Sequence, residues 1–147
     1  MRFAIARDVA LLAARVGLGV IFVAHGWQKF STWGMEGTAS SFAQMGVPLP
    51  EVSAWFSAVV ELVGGAALVL GAAVPVFGVL LAFVMTGALV IVHAGSGIFV
   101  DQGGFELVLA LGAGALTLAA VGPGRWSIDA LVAPRLARVA DRTPVRV

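Results

Sequence analysis

The sequence predicts an all-α membrane protein, a bundle of four transmembrane helices with both termini in the cytoplasm. Three observations predict it. Of the 147 residues 60% are hydrophobic and only 12% charged, about half the charged share of a soluble domain. The apolar residues fall into four runs of the roughly 20 residues that a helix needs to cross a bilayer. Arg residues gather at the two ends of the chain, while the connections between the first and second runs and between the third and fourth are poor in Lys and Arg. Mean hydropathy is +1.01. One domain is expected over residues 1–133, followed by a basic cytoplasmic tail over 134–147.

Composition also sets exclusions. A net charge of +1 gives no electrostatic footing for nucleic acid. The absence of Cys excludes disulfides, Cys-ligated iron–sulfur clusters and Cys-x-x-Cys thiol chemistry within this chain. Tyr is absent too, so no phenol serves as a proton donor. The basic start and the apolar run after it imitate a signal peptide. Arg15 interrupts that run, and no small-x-small site precedes a polar mature domain, so the run is read as a span.

Segment one covers about Val9 to Phe30. Arg15, Gly19, Phe22, Gly26 and Lys29 recur at steps of 4, 3, 4 and 3 and form one stripe. His25 lies four residues before Lys29, on nearly the same face. Gly17 and Gly19 permit close helix contact. The connection over Ser31 to Val52 carries Met35, Ala39, Phe42 and Met45 at helical spacing, then Gly46, Pro48 and Pro50. That pattern predicts a short interfacial helix across the mouth of the bundle. Segment two covers about Ser53 to Leu70, with Ser53, Ser57 and Glu61 on a face that Gly64 and Gly65 continue.

A tight turn over Gly71–Pro75 leads into segment three, about Pro75 to Gly95, with Thr86 and His93 sharing a face. Gly95 to Gly104 form a loop that holds Asp101. Segment four covers about Phe105 to Val121, with Glu106, Ala110, Ala113 and Thr117 as its polar or small stripe. Gly122-Pro-Gly124 stops it, and Ser127 is placed to cap a restart. Arg135, Arg138, Arg142 and Arg146 give the tail its basic, partly amphipathic character.

The positive-inside rule puts both termini in the cytoplasm, and an even number of spans agrees. Trp27, Trp33 and Trp55 then mark the outer interface and Trp126 the inner one. This topology delivers a titratable group from every span to the outer half. His25 and His93 close segments one and three, Glu106 opens segment four, and Glu61 lies about 12 Å below the start of segment two. Lys29 caps the cluster. Arg15, deeper, is expected to pair with Glu61, and Asp101 to cap segment four or meet Lys29. Buried ionisable groups in lipid are costly and need such partners.

Three chemistries fit these residue types. Two His on different helices can ligate a b-type haem. His25 and His93 with Glu61 or Glu106 can hold a divalent metal. Alternating His and carboxylate can relay protons to a bound quinone. A short internal similarity, Val20–Gly26 with Val90–Gly95, hints at a duplicated helical hairpin.

The order of Arg15, His25-Gly26-Trp27-Gln28-Lys29, Glu61-Leu-Val-Gly-Gly65, His93, Gly103-Gly-Phe-Glu106 and Gly122-Pro-Gly-Arg-Trp-Ser-Ile-Asp129 resembles the DoxX family over about residues 10 to 131. The resemblance implies a four-helix bundle in the cytoplasmic membrane and a link to oxidative metabolism. Relatives include a small subunit of thiosulfate:quinone oxidoreductase, and members associated with superoxide dismutase and sulfurtransferase. The expected function is therefore a redox-associated subunit. It would work with a quinone or a partner oxidoreductase, with His25, Lys29, Glu61, His93 and Glu106 as binding or proton-handling residues and Arg15 and Asp101 as charge partners. Self-association is open. A non-catalytic scaffold and a small-solute or metal transporter are the alternatives. Against transport, the inner half offers only Arg15, Thr86 and Thr117 as polar groups.

Overall fold

The computed structural model describes residues 2–133, and the basic tail lies outside the described residues. Between residues 2 and 121 five α-helices follow one another: α1 (Arg2–Ser31), α2 (Gly34–Gln44), α3 (Pro50–Leu70), α4 (Val74–Gly87) and α5 (Glu106–Val121). A π-helical turn, Ala88–His93, continues α4. Among the described residues three helices are long and apolar enough to cross a membrane: Phe3–Ser31, Pro50–Leu70 and Val74–His93. The fourth apolar helix, α5, has 16 residues.

The distribution of polarity is that of a chain solvated by lipid. Val20, Val63, Phe83, Val90 and Leu116 point outward, as do all four Trp side chains. The largest fully buried side chain is Arg15, and Lys29, Glu61 and Asp8 are buried as well. Between helices in lipid there is no hydrophobic drive, so association rests on close packing of small residues and on polar contacts.

The closest packing joins α1 to α3. A Cβ at Gly26 would lie 2.5 Å from the backbone nitrogen of Leu62. One at Gly65 would lie 2.7 Å from both the Gly19 carbonyl oxygen and the Val23 nitrogen. Nothing larger than glycine fits these crossings. Gly17, expected to share this role, has open space around its Cα. A similar contact, Gly78 against the Ala115 carbonyl, joins α4 to α5. Gly64 and Gly112 also pack within the bundle, against Leu81 and Met85.

The whole predicted stripe of α1, from Arg15 to Lys29, is buried. On α5 the outcome differs from the expectation. Leu111, Ala115 and Leu118 face inward, while Ala110, Ala113 and Thr117 are exposed. The Thr117 hydroxyl donates to the Ala113 carbonyl, as that of Thr86 does to Ala82. A threonine that satisfies its own helix can face lipid, which is why these residues do not mark an interior.

At one end the bundle is tied by the segment after α5. Gly122, at φ +86°, ends α5. The Ser127 hydroxyl accepts from the Ala130 nitrogen at 3.1 Å and donates to the Gly124 carbonyl at 2.7 Å, capping a helix that opens at residue 128. The Asp129 carboxylate accepts from the Ala73 and Val74 nitrogens at 2.7 and 3.0 Å, closing the N-terminus of α4. Asp129 also donates its own backbone N–H to the Gly71 carbonyl. These bonds hold Ala73 in the left-handed region, at φ +47°, a conformation that costs a non-glycine residue about 1 kcal/mol or more.

Asp129→Ala is therefore expected to lower stability by about 1–2 kcal/mol through loss of the cap. Ala73→Gly is expected to recover part of that loss. Thermal unfolding of the detergent-solubilised chain, followed by circular dichroism, checks both.

Candidate functional site

The α1–α3 crossing sets a register. Gly19 lies against Val69, Val23 against Gly65 and Gly26 against Leu62. In this antiparallel pairing Glu61 is level with Trp27, and Lys29 sits two residues, about 3 Å, further along. Helical side chains lean toward the N-terminus of their own helix. In antiparallel neighbours Lys29 therefore leans down and Glu61 leans up, and the two meet. The Lys29 ammonium donates to Glu61 Oε2 in a buried ion pair, the residues being 8% and 3% exposed.

The same geometry overturns the expected Arg15–Glu61 pair. Arg15 lies twelve residues from Trp27, about 18 Å along the axis, and its side chain, leaning like that of Lys29 toward the α1 N-terminus, points away from Glu61. It reaches the tie at the far end, where Nη2 donates to the Trp126 carbonyl at 2.6 Å. Gly71 lies directly against its guanidinium. Asp129 supplies an opposing charge nearby.

Helix α2 covers the Lys29–Glu61 end. Thr38, 1% exposed, places Oγ1 2.8 Å from the Gly34 carbonyl and 3.3 Å from that of Lys29, so its hydroxyl joins α2 to the end of α1. Phe30 packs edge-on to Trp55 with ring centroids 5.7 Å apart, fixing α1 to α3. Ser57, one turn from Glu61, is buried and donates to its own helix at Ala54.

The other sequence candidates stand apart from this pair. His25 is exposed and donates from Nδ1 to the Ile21 carbonyl. The roughly 40° of helical rotation between positions four apart is enough to turn His25 out while Lys29 turns in. His93 donates from Nδ1 to the Gly103 carbonyl at 2.7 Å, and Glu106 accepts from the Val100 nitrogen at 2.8 Å. Both brace the loop between α4 and α5. Asp101 is exposed in a short 3₁₀ turn (Val100–Gln102), and Lys29, its expected partner, is engaged with Glu61. The metal set His25, His93, Glu61 and Glu106 does not come together: among the described residues no three His, Asp or Glu are placed to hold one ion.

Asp8 was not among the expected site residues. It is 7% exposed and accepts from the Arg125 backbone at 3.4 Å, with the Arg125 Nε 3.8 Å from its other oxygen. Asp8, Arg15, Phe22 and Lys29 are spaced by sevens and all are buried, so extending the stripe back by two turns finds it.

Comparisons with known proteins give the family. The DoxX family model matches residues 10–94. The chain belongs to the DoxX family. It is 40% identical over 85 residues to a Bacillus subtilis protein named "Putative oxidoreductase CatD", a match covering 58% of this chain and 60% of that protein. The chain thus spans about three fifths of that relative's length. It is 32% identical over 132 residues to the inner membrane protein YphA of Escherichia coli, covering 86% of this chain and 93% of the relative. The inner membrane protein YqjF of the same organism is 31% identical over 128 residues, with 85% and 93% covered. No solved structure matches. The family and the apolar helices together make this a multi-pass membrane protein.

Removing one member of the buried pair leaves the other charge uncompensated. Lys29→Met or Glu61→Leu alone is expected to cost about 3–5 kcal/mol, and the double variant far less, because an apolar pair replaces an ion pair nearly neutrally. Reversible unfolding of the four proteins in one detergent measures this coupling.

Proposed function

We propose that this chain is a redox-associated subunit of the cytoplasmic membrane, a four-span bundle with both termini in the cytoplasm. It works with a quinone or a partner oxidoreductase at its α2-covered end. The observation that carries the reading is the buried Lys29–Glu61 pair. An ammonium and a carboxylate held side by side in a bundle are a proton donor and a proton acceptor that stay close to neutral together. Intramembrane ionisable groups are by default functional candidates, and a quinol that passes two electrons to a partner oxidoreductase releases two protons that an acceptor must take up. Glu61 serves as the proton acceptor and Lys29 as its counter-charge. His25, exposed at the same end, offers an imidazole to an approaching partner, and His93 and Glu106 shape the adjoining loop.

Further observations support the placement. Helix α5, at 16 residues, has a rise of about 24 Å, short of a full span by an amount that local thinning of the bilayer accommodates. Arg7, Arg15 and Arg125 lie at the end tied by Asp129, whereas among the described residues the only Lys or Arg at the opposite end is Lys29, spent in its ion pair. That asymmetry supports a cytoplasmic location for the tied end. The name of the Bacillus subtilis relative points to redox chemistry.

The test is native mass spectrometry of the chain extracted gently from its own membrane. A bound quinone or a co-extracted oxidoreductase is expected, and is expected to be lost in Lys29→Met/Glu61→Leu, the variant whose unfolding is expected to stay close to that of the parent. A bare chain, or an association that survives in the double variant, overturns the proposal.

A further inference from the structure

A groove of about 1260 Å³ lies beside α3, away from the ion pair. Helix α2 roofs its upper part, through Met35, Ala39 and Ala43, and Phe77 and Leu80 of α4 close its lower part. Its wall is the outward face of α3, where Trp55, Phe56, Val59 and Val63 are all half-exposed. The groove opens sideways, toward the surface that lipid covers.

Two features describe its occupant. The first is length. Below Pro50 and Glu51 at its interfacial end, the groove follows α3 from Val52 to Val63, eleven residues or about 16 Å. Half of a ~30 Å hydrocarbon core is about 15 Å. A transmembrane helix of a second copy would need the full thickness, whereas an acyl chain of one leaflet needs half. The second is charge. Glu36, in the first turn of α2, and Glu51, in the first turn of α3, line the interfacial end together with Ser40, and among the described residues no Lys, Arg or His lines the groove. Neither carboxylate takes part in an ion pair among the described residues. Each favours its own helix N-terminus, and both remain exposed on the same groove.

We infer that this groove binds a phospholipid with a primary-amine headgroup, the ammonium at Glu36 and Glu51 and one acyl chain along Trp55, Val59 and Val63. An ammonium brings three donors to two carboxylates that have only acceptors, whereas an anionic headgroup meets like charge. The site does not depend on the redox reading, since the Lys29–Glu61 pair does not line it.

Native mass spectrometry in detergent, with phosphatidylethanolamine or phosphatidylglycerol of the same chains added, reads the preference. A roughly three- to tenfold excess of ethanolamine adduct is expected, the range that two exposed charge contacts supply. Glu36→Gln/Glu51→Gln is expected to abolish the preference while retaining lipid. Val59→Trp, a change at a lipid-facing position that leaves the bundle interior intact, is expected to lose the adduct. In a chain whose Trp27, Trp33 and Trp126 are replaced by Phe, phosphatidylethanolamine with brominated chains is expected to quench Trp55, and Val59→Trp/Trp55→Phe supplies the control for the new indole. Equal adducts for the two lipids, a preference unchanged in the glutamine variant, or adduct retained with Val59→Trp overturns the assignment.

Discussion

The contact between α1 and α3 governs the rest of the molecule. Lipid gives two apolar helices no reason to prefer each other over the solvent, so specificity comes from how near their backbones approach. Gly19, Gly26 and Gly65 allow an approach that any Cβ would block. Once these positions interlock, the axial register is fixed, and the register decides which charges meet. Lys29 finds Glu61 because both lean toward a common level. Arg15 is carried to the opposite end and finds the Trp126 carbonyl instead. Two buried cations that share a stripe thus stabilise opposite ends, one closing the bundle under α2 and the other binding the segment after α5.

This division explains why the polar interior does not form a continuous path. Between the two ends the α1 stripe contributes Gly19 and Phe22, and the core beside them is built from residues such as Leu68, Leu81, Leu111 and Ala115. Thr86 and Thr117, two of the few polar groups of the inner half, satisfy carbonyls of their own helices and face outward. The chain has a polar pair at one end, a hydrogen-bonded tie at the other and an apolar middle, which suits a pocket or docking end better than a channel.

Much of this was legible in the sequence, because helix period and lipid length are strong constraints. The stripe from Arg15 to Lys29, the cover helix after it, the cap at Ser127 and the C-terminal ends of α1, α3 and α5 followed from spacing and from Gly and Pro positions, whereas α1 begins at Arg2, seven residues before the expected Val9. The pairing of charges did not. Spacing says which residues share a face, but the axial offset between helices depends on which glycines interlock, and nothing local to Arg15 or Glu61 records that. The buried face of α5 was not legible for a related reason: in lipid, small and threonine residues are tolerated on either side, so polarity alone does not mark the interior. His25 and His93 were legible as helix-end residues, but their bonds to Ile21 and Gly103 follow from local geometry that no periodicity shows.

The account rests on the register that puts Lys29, and not Arg15, opposite Glu61. Charge exchange tests it most directly. The stability of Lys29→Glu/Glu61→Lys, measured by unfolding in one detergent beside the two single reversals, is predicted to return most of what either single change removes. A double variant as damaged as the singles, or a Glu61→Lys chain rescued by Arg15→Glu instead, would contradict it.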